Sequence, residues 1–187
     1  SFAESRLQEA SAKQDALADL EPLDWHFIGR LQANKARGVL RRFGTLHSLD
    51  SLALAQRLAR IAAEEGLAPA VFLQVKLRPD PGKTGFSAEE LRHHWPAIMA
   101  LAPLRPVGLM TIAPLGLAAQ QRRALFEECA ALAGSLGLHE LSMGMSGDWP
   151  EAAAAGSTWV RLGTALFGAR PAATPPAAGT DSATTPA

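Results

Sequence analysis

Strand-like and helix-like segments alternate strictly along this sequence of 187 residues, and this alternation limits the fold more than any other feature. Six short, largely apolar segments are each followed by a helical segment or helical turn, and no hairpin signal lies between them. The predicted strands span residues 25–30, 45–50, 70–77, 105–112, 139–143 and 157–163. The predicted helices span residues 6–20, 31–43, 51–66, 87–101, 117–136 and 149–155. Such alternation predicts a parallel sheet with helices outside it.

Two ways of arranging the sheet fit this pattern: an open doubly wound sheet, or a (β/α) barrel of the TIM type, which needs eight strands. With six strands predicted, two more would precede Ser1, so we expect the sequence to begin late. Residues 1–170 are expected to form one domain. Residues 171–187 are mostly Ala, Pro, Thr and Gly, and we expect them to form a disordered tail.

Charge and composition argue against several classes of function. Lys plus Arg and Asp plus Glu number 18 each, so a net charge of zero provides no basic field for nucleic acid or an anionic membrane. No apolar run approaches the roughly 20 residues that span a bilayer, and no signal peptide opens the sequence, so we expect a cytoplasmic protein. The single cysteine, Cys129, lies in a helical segment and is interpreted as structural. No His, Cys or carboxylate spacing resembles a metal site.

The carboxyl-terminal parts of the predicted strands and the turns after them are polar or glycine-rich. In either arrangement, functional groups gather where parallel strands end. These strand ends are residues 26–29, 47–48, 76–83, 108–111, 142–148 and 161–164. We therefore expect all six to face one mouth.

The last two strand ends are suited to binding an anion. Gly144 and Gly147 allow the backbone to approach a ligand closely, and Ser146 adds a hydroxyl group. Gly163 and Thr164 open a one-turn helix whose free N–H groups favour negative charge. Together these residues predict a cradle for a phosphate monoester.

Each candidate residue also has a structural alternative. The glycine-rich turn is explained equally as a strand-to-helix turn in which Asp148 caps the helix. Arg161, near the end of a strand, can instead pair with a carboxylate. His26 can be a buried histidine with satisfied hydrogen bonds, and Met110 and Met143 are more often packing residues than cofactor contacts.

Taken in order, these segments resemble the pyridoxal phosphate homeostasis protein family, also known as the proline synthetase co-transcribed homologues. The resemblance covers nearly everything from Phe2 to Arg170 and includes long motifs that are rare in combination. The motifs are FAESRLQEASAK, WHFIGRLQANK, LHSLD, PGKTGF, VGLMTIAP and LSMGMSGDWPEAAAAGSTWVRLGTALFGAR. The resemblance implies a single-domain barrel of fold type III, like the amino-terminal half of alanine racemase, that binds pyridoxal 5'-phosphate (PLP).

The turn pattern and the resemblance together assign a cofactor site. The predicted PLP-binding residues are Ser146, Gly147, Gly163, Thr164, Arg161, His26, Met110 and Met143. By resemblance, Ser146, Gly163 and Thr164 would take the phosphate. Arg161 would face the pyridine nitrogen, where a cation disfavours protonation of the ring and weakens it as an electron sink. The histidine and the two methionines would line the ring pocket.

The sequence departs from the family pattern in two places. The family segment FGENxxQE appears as FAESRLQE, so Ala3 replaces a glycine and Ser5 an asparagine. The family's Schiff-base lysine belongs to the first barrel strand, upstream of that segment, and this sequence does not include it. None of the lysines present matches its position, so we assign the role to none. They are Lys13, Lys35, Lys76 and Lys83.

Three functions stay open. The first is a non-enzymatic PLP carrier that supports PLP homeostasis and amino-acid and keto-acid balance; the resemblance implies a monomer with PLP-dependent apoenzymes as candidate partners. The second is a PLP-dependent amino-acid racemase, which needs a base on each face of its substrate. Alanine racemase takes its second base from a tyrosine, and the absence of tyrosine from this sequence favours the carrier. The third is a remnant that binds PLP weakly and without a covalent bond.

Overall fold

The computed structural model describes residues 1–20, 22–80 and 82–168, so the tail predicted at 171–187 lies outside the described residues. Its strands are parallel and form one sheet in which each strand pairs with the next along the chain. They are β1 (Phe2–Glu4), β2 (Trp25–Phe27), β3 (Thr45–Leu49), β4 (Ala70–Gln74), β5 (Arg105–Met110), β6 (Glu140–Met145) and β7 (Trp159–Arg161). The predicted parallel sheet is confirmed.

Helices separate the strands, and local sequence signals fix several of their ends. The helices are α1 (Leu7–Ala16), α2 (Ala36–Leu40), α3 (Leu52–Glu65), α4 (Ala88–Met99), α5 (Ala119–Ser135), α6 (Trp149–Ala154) and α7 (Thr164–Phe167), with a 3-10 turn (Ala33–Lys35) before α2. The Ser51 hydroxyl accepts a hydrogen bond from a backbone N–H in the first turn of α3. That helix ends at Gly66, which is left-handed (φ 66°). Ser87 and Glu90 form the predicted capping box of α4.

The sequence analysis missed one strand. β1 has only three residues and is largely exposed, so it carries no apolar run. It forms because its backbone pairs in register with β2, with Phe2 opposite Trp25 and Glu4 opposite Phe27. The predicted count of six strands was therefore wrong, because the described residues contain seven.

The sheet curves into a nearly closed barrel. On a flat sheet, five strand spacings would separate β2 from β7 by about 24 Å. Instead, the ring centroids of His26 on β2 and Trp159 on β7 lie 4.9 Å apart. His47 on β3 also reaches Ser142 on β6, with 2.7 Å between Nδ1 and Oγ. These contacts cross the interior and exclude the open doubly wound sheet. Within the described residues, β1 and β7 do not pair and form the two sheet edges.

The apolar core lies mainly between the sheet and the surrounding helices. β4 is buried along almost its whole length, as expected for a central parallel strand covered on both faces. Cys129 is fully buried in α5, in agreement with its interpretation as a structural thiol. Among the helices of the described ranges, none combines the length and the apolar character that crossing a membrane requires.

Candidate functional site

Two loops meet where β6 and β7 end, and we call residues 144–148 and 161–164 the mouth loops. The Ser146 hydroxyl oxygen accepts hydrogen bonds from the backbone N–H groups of Gly163 (3.3 Å) and Ala165 (3.2 Å). The two segments that the sequence analysis combined into one anion cradle are therefore in contact.

Asp148 precedes α6, where the alternative interpretation placed a helix cap. Its carboxylate accepts a hydrogen bond from the Met145 N–H at 2.6 Å and makes no capping bond to the helix. The aspartate therefore closes the turn before the helix. This bond fixes the shape of the first mouth loop.

The glycines of the mouth loops serve two purposes. Gly144 has φ +92°, and a Cβ there would lie 2.6 Å from the Cβ of Ala152, so packing against α6 requires glycine. At Gly147 and Gly163, by contrast, no heavy atom from beyond the adjacent residues lies within 4 Å of the position that a Cβ would take. The backbone of these two glycines therefore faces open space that a ligand can enter.

Arg161, at the end of β7, is held by uncharged oxygen atoms. Its Nη1 donates hydrogen bonds to the carbonyl and hydroxyl oxygens of Ser142, both at 2.7 Å, and its Nη2 donates to the Thr111 carbonyl at 3.1 Å. No carboxylate in the described part of the chain forms an ion pair with it, so the alternative of a carboxylate partner was wrong there. Burial of the guanidinium lowers the pKa of Arg161 to about 10, which leaves it a cation at neutral pH.

Some N–H groups of the Arg161 guanidinium make no hydrogen bond to the described residues. The three hydrogen bonds occupy at most three of its five N–H groups, and the other groups find no acceptor among the described residues. Arg161 is only partly exposed, and a charge with reduced access to water is stabilised by a hydrogen-bond partner. This side of Arg161 is therefore the best-supported place for a ligand atom that accepts a hydrogen bond.

Two histidines lie inside the barrel, with His26 4% and His47 2% exposed. His26 Nδ1 lies 2.8 Å from His47 Nε2, and His26 Nε2 lies 2.8 Å from a carboxylate oxygen of Asp24. Both ring nitrogens of His26 therefore have protein partners, as its structural alternative predicted, and its contact with a cofactor remains a prediction. Burial lowers the pKa of His47 to about 3, and the nearby His26 and Arg161 contribute to this shift.

The remaining predicted residues lie in contrasting surroundings. Met110 and Met143 are both buried, and Met143 belongs to the apolar core, as the packing alternative predicted. Thr164 begins α7 and is exposed beside Gly163. Their contacts with a cofactor remain predictions.

None of the four lysines belongs to a mouth loop. Lys13, on α1, forms an ion pair with Glu4 of β1. Lys35 is exposed in the 3-10 turn. Lys76 and Lys83 follow β4, three strands from β7, and line an open groove of about 1150 Å³. Within the described residues, no group of His, Cys, Asp and Glu side chains could hold a metal ion.

Sequence analysis did not assign Ser142, His47 or Thr111 to the site, although all three lie in the polar strand ends. The available signal was a polar side chain inside an otherwise buried strand, since such a side chain needs a hydrogen-bond partner. The sequence does not name that partner. The structure shows that these residues, together with Arg161, form one hydrogen-bonded cluster.

Comparison with known proteins first defines the class. Residues 1–171 match the family model of the alanine racemase N-terminal domain. An alanine racemase from Clostridium difficile has the same fold, with a TM-score of 0.71 at 16% identity over 91% of this chain and 45% of that chain. The fold and the family match define a barrel of the alanine racemase N-terminal type.

More similar relatives narrow this class to one family. A pyridoxal phosphate homeostasis protein from Synechocystis is 53% identical over 175 residues, which cover 90% of this chain and 80% of the relative. The structure of PipY from Synechococcus elongatus with PLP bound has a TM-score of 0.86 at 50% identity, covering 89% of this chain and 81% of PipY. The chain belongs to the pyridoxal phosphate homeostasis protein family.

Proposed function

We propose that this chain binds PLP at the barrel mouth and serves intracellular PLP homeostasis, and thereby amino-acid and keto-acid balance, without catalytic turnover. The observation that carries the proposal is Arg161, a partly buried cation without a carboxylate partner among the described residues. It begins the second mouth loop, and Gly147 and Gly163 of the two loops face open space. The names of the relatives and the PLP bound to PipY support the choice of ligand.

The residues present fit PLP at both ends of the molecule. The phosphate would lie on the mouth loops, where backbone N–H groups and the Ser146 and Thr164 hydroxyls are close to open space beside Gly147 and Gly163. The spare N–H groups of Arg161 suit the pyridine nitrogen, which accepts a hydrogen bond when it carries no proton. The residues proposed to line the ring are His26, Met110 and Met143.

The charge at Arg161 bears on the electron-withdrawing strength of the PLP ring. PLP brings a reactive aldehyde and an electron-withdrawing ring, and the protein decides how strongly the ring withdraws electrons. A fixed guanidinium beside the ring nitrogen opposes its protonation, because two positive charges would then lie close together. This arrangement holds the ring in its less electron-withdrawing form.

Among the described residues, the candidates for a racemase's second base are poorly suited to that role. The sequence has no tyrosine, and Cys129 is buried in α5, where burial raises the pKa of its thiol to about 12. His47 is already hydrogen-bonded at both ring nitrogens. We therefore expect no D-alanine from L-alanine and PLP beyond the amount in a protein-free control. Production of D-alanine above the amount in that control would favour the racemase over the carrier.

PLP binding itself is tested by equilibrium titration, followed by absorbance and calorimetry. Arg161→Met should weaken binding about tenfold or more, because it removes a charge-assisted donor. Ser146→Ala should also weaken binding, because it removes both a hydroxyl and the bond between the mouth loops. Arg92→Met, at an exposed position on α4, is the matched control and should bind like the parent. Failure of the parent to bind PLP, or full affinity in Arg161→Met, would contradict the proposal.

Borohydride reduction followed by mass spectrometry tests the third alternative, a remnant with weak and non-covalent binding. None of the four lysines lies on the mouth loops, so we expect no specific pyridoxyl adduct on this chain. An adduct on one defined lysine would show that a substitute Schiff-base lysine exists.

The proposal extends to location and assembly. We propose a monomeric, cytoplasmic protein that delivers PLP to PLP-dependent apoenzymes. Light scattering tests the monomer, and activation of an apoenzyme by the PLP-loaded chain tests delivery. A stable dimer, or activation no faster than with the same concentration of free PLP, would argue against these two parts.

A further inference from the structure

A row of hydrogen bonds crosses the barrel interior and ends at Arg161. It begins at Asp24, just before β2, and passes through His26, His47 and Ser142. Successive partners lie 2.8, 2.8, 2.7 and 2.7 Å apart. The three middle residues are at most 4% exposed, so this row is closed off from water along most of its length.

The chemistry of the two end groups fixes the direction of the row. A guanidinium can only donate hydrogen bonds, so the Ser142 hydroxyl accepts from Arg161. A carboxylate can only accept them. Burial raises the pKa of Asp24, but hydrogen bonds from Ser1 and His26 outweigh this effect and hold the pKa below its usual value. Asp24 is therefore ionised at neutral pH and accepts from His26.

Only one arrangement of protons satisfies every link while both histidines are neutral. Ser142 Oγ–H donates to His47 Nδ1, His47 Nε2–H donates to His26 Nδ1, and His26 Nε2–H donates to Asp24. The other tautomer of His47 would direct its proton at Ser142. The Nε2 atom of His47 would then have to accept a hydrogen bond from an N–H at Nδ1 of His26. Because Nε2–H of His26 donates to Asp24, His26 would need a proton on both ring nitrogens, which makes it a cation.

We propose that Ser142 and His47 are positioning residues that fix the orientation of Arg161 toward the ring nitrogen of PLP. Ser142 offers Nη1 two acceptors, its carbonyl and its hydroxyl oxygen. The Nδ1 atom of His47 accepts a hydrogen bond from the hydroxyl, so a lone pair of the hydroxyl oxygen faces Arg161. The spare N–H groups of the guanidinium are thereby left for the ligand. This inference rests on the proposed PLP site, because it concerns the residue that would meet the ring there.

A purely structural role for this row makes a different prediction. A buried polar network stabilises a fold when all its members are satisfied, and breaking it costs stability. If the row served folding alone, a folded variant with one broken link would still hold Arg161 in place. Positioning instead requires that Arg161 become mobile when Ser142 or His47 loses its part in the row.

Nitrogen-15 NMR of the unliganded chain, labelled on arginine and histidine, measures this directly. Ser142→Ala removes the hydroxyl, and His47→Phe keeps a ring against Phe72, whose centroid lies 4.2 Å from that of His47, while removing the acceptor. His47→Asn returns an acceptor near the position of Nδ1. His93→Phe, exposed on α4, is the matched control.

We expect resolved, slowly exchanging N–H signals from the Arg161 guanidinium in the parent, the control and His47→Asn. In Ser142→Ala and His47→Phe these signals should broaden or average. The histidine spectra of the parent should show the Nε2–H form at His47, with Nδ1 unprotonated. Resolved Arg161 signals in both disrupted variants, or an Nδ1–H form at His47, would overturn the proposal. If one variant does not fold, the other decides.

PLP titration of the same variants is the second arm. Folded Ser142→Ala and His47→Phe should bind PLP about tenfold more weakly than the parent, with recovery in His47→Asn. Unchanged affinity in both disrupted variants would overturn the link between positioning and the cofactor. If the parent does not bind PLP, the proposed function fails, and the NMR result alone then decides whether Ser142 and His47 position Arg161.

Discussion

Lowering the pH from 7 to 5 should destabilise this protein through His47. The pKa of this buried histidine falls from 6.5 to about 3 in the folded chain, because burial disfavours the imidazolium. Between these two values the unfolded chain binds a proton that the folded chain does not bind. The contribution of His47 to stability is therefore fully present above about pH 6.5 and is lost progressively as the pH falls toward 3.

The size of the effect follows from the two pKa values. At pH 7 the unfolded histidine is mostly neutral, so little stability is lost. At pH 5 it is almost fully protonated, while the folded histidine is still neutral. One pKa unit corresponds to about 1.4 kcal/mol, so the change from pH 7 to pH 5 removes about 2 kcal/mol of unfolding free energy. The unfolded-state pKa sets nearly all of this loss, because pH 5 lies well above the folded value.

Urea unfolding at pH 7 and pH 5 measures this loss. His93→Phe, a control at an exposed position, retains His47 and should therefore retain its loss of about 2 kcal/mol. His47→Phe, which has no titrating group at this position, should lose about 2 kcal/mol less between the two pH values. Equal pH dependence in His47→Phe and the parent would refute the reasoning, because His47 would then titrate alike in the folded and unfolded states.

Three further predictions concern stability and reactivity. Gly108→Ala should cost about 3 kcal/mol or more in urea unfolding, because its Cβ would lie 2.0 Å from the Glu140 carbonyl oxygen on the neighbouring strand. Gly134→Ala, in α5 with nothing within 4 Å of a Cβ, is its control and should gain about 0.5–1 kcal/mol; equal effects would contradict the steric argument. Cys129 should resist a thiol reagent in the folded protein and react in urea, because burial raises its pKa to about 12; fast reaction when folded would show that the thiol is accessible. Ser51→Ala should cost about 1 kcal/mol by removing the N-cap of α3, and unchanged urea unfolding would show that the cap contributes nothing.

Much of the secondary structure could be predicted from local sequence. The alternation of strands and helices predicted the parallel sheet, and residues 87–90 predicted the capping box of α4, because both signals depend on neighbours in the chain. Element lengths were less accurate. The helix predicted over 6–20 spans only Leu7–Ala16, and the strand predicted over 157–163 spans only Trp159–Arg161. Whether a residue at the end of a helix or strand keeps the regular conformation depends on the residues that pack against it.

The candidate site could be predicted only in part. The mouth loops were identifiable because Gly, Ser and Thr beside one another allow backbone N–H groups to face an anion. Their contact through Ser146 joins residues 17 and 19 positions apart, a distance at which local sequence gives no signal. The interior row was missed for the same reason, since Ser142 and His47 are 95 positions apart.

The sequence by itself determined the class of fold, the family resemblance and the composition of the mouth loops. These properties depend on periodicity, turn chemistry and motif order, all of which are present in the unfolded chain. Only the tertiary structure decided that the sheet curves until β2 meets β7, that Phe2–Glu4 is a strand, and that Arg161 has uncharged partners among the described residues. Each of these results depends on contacts between distant segments, and such contacts exist only once the chain has folded.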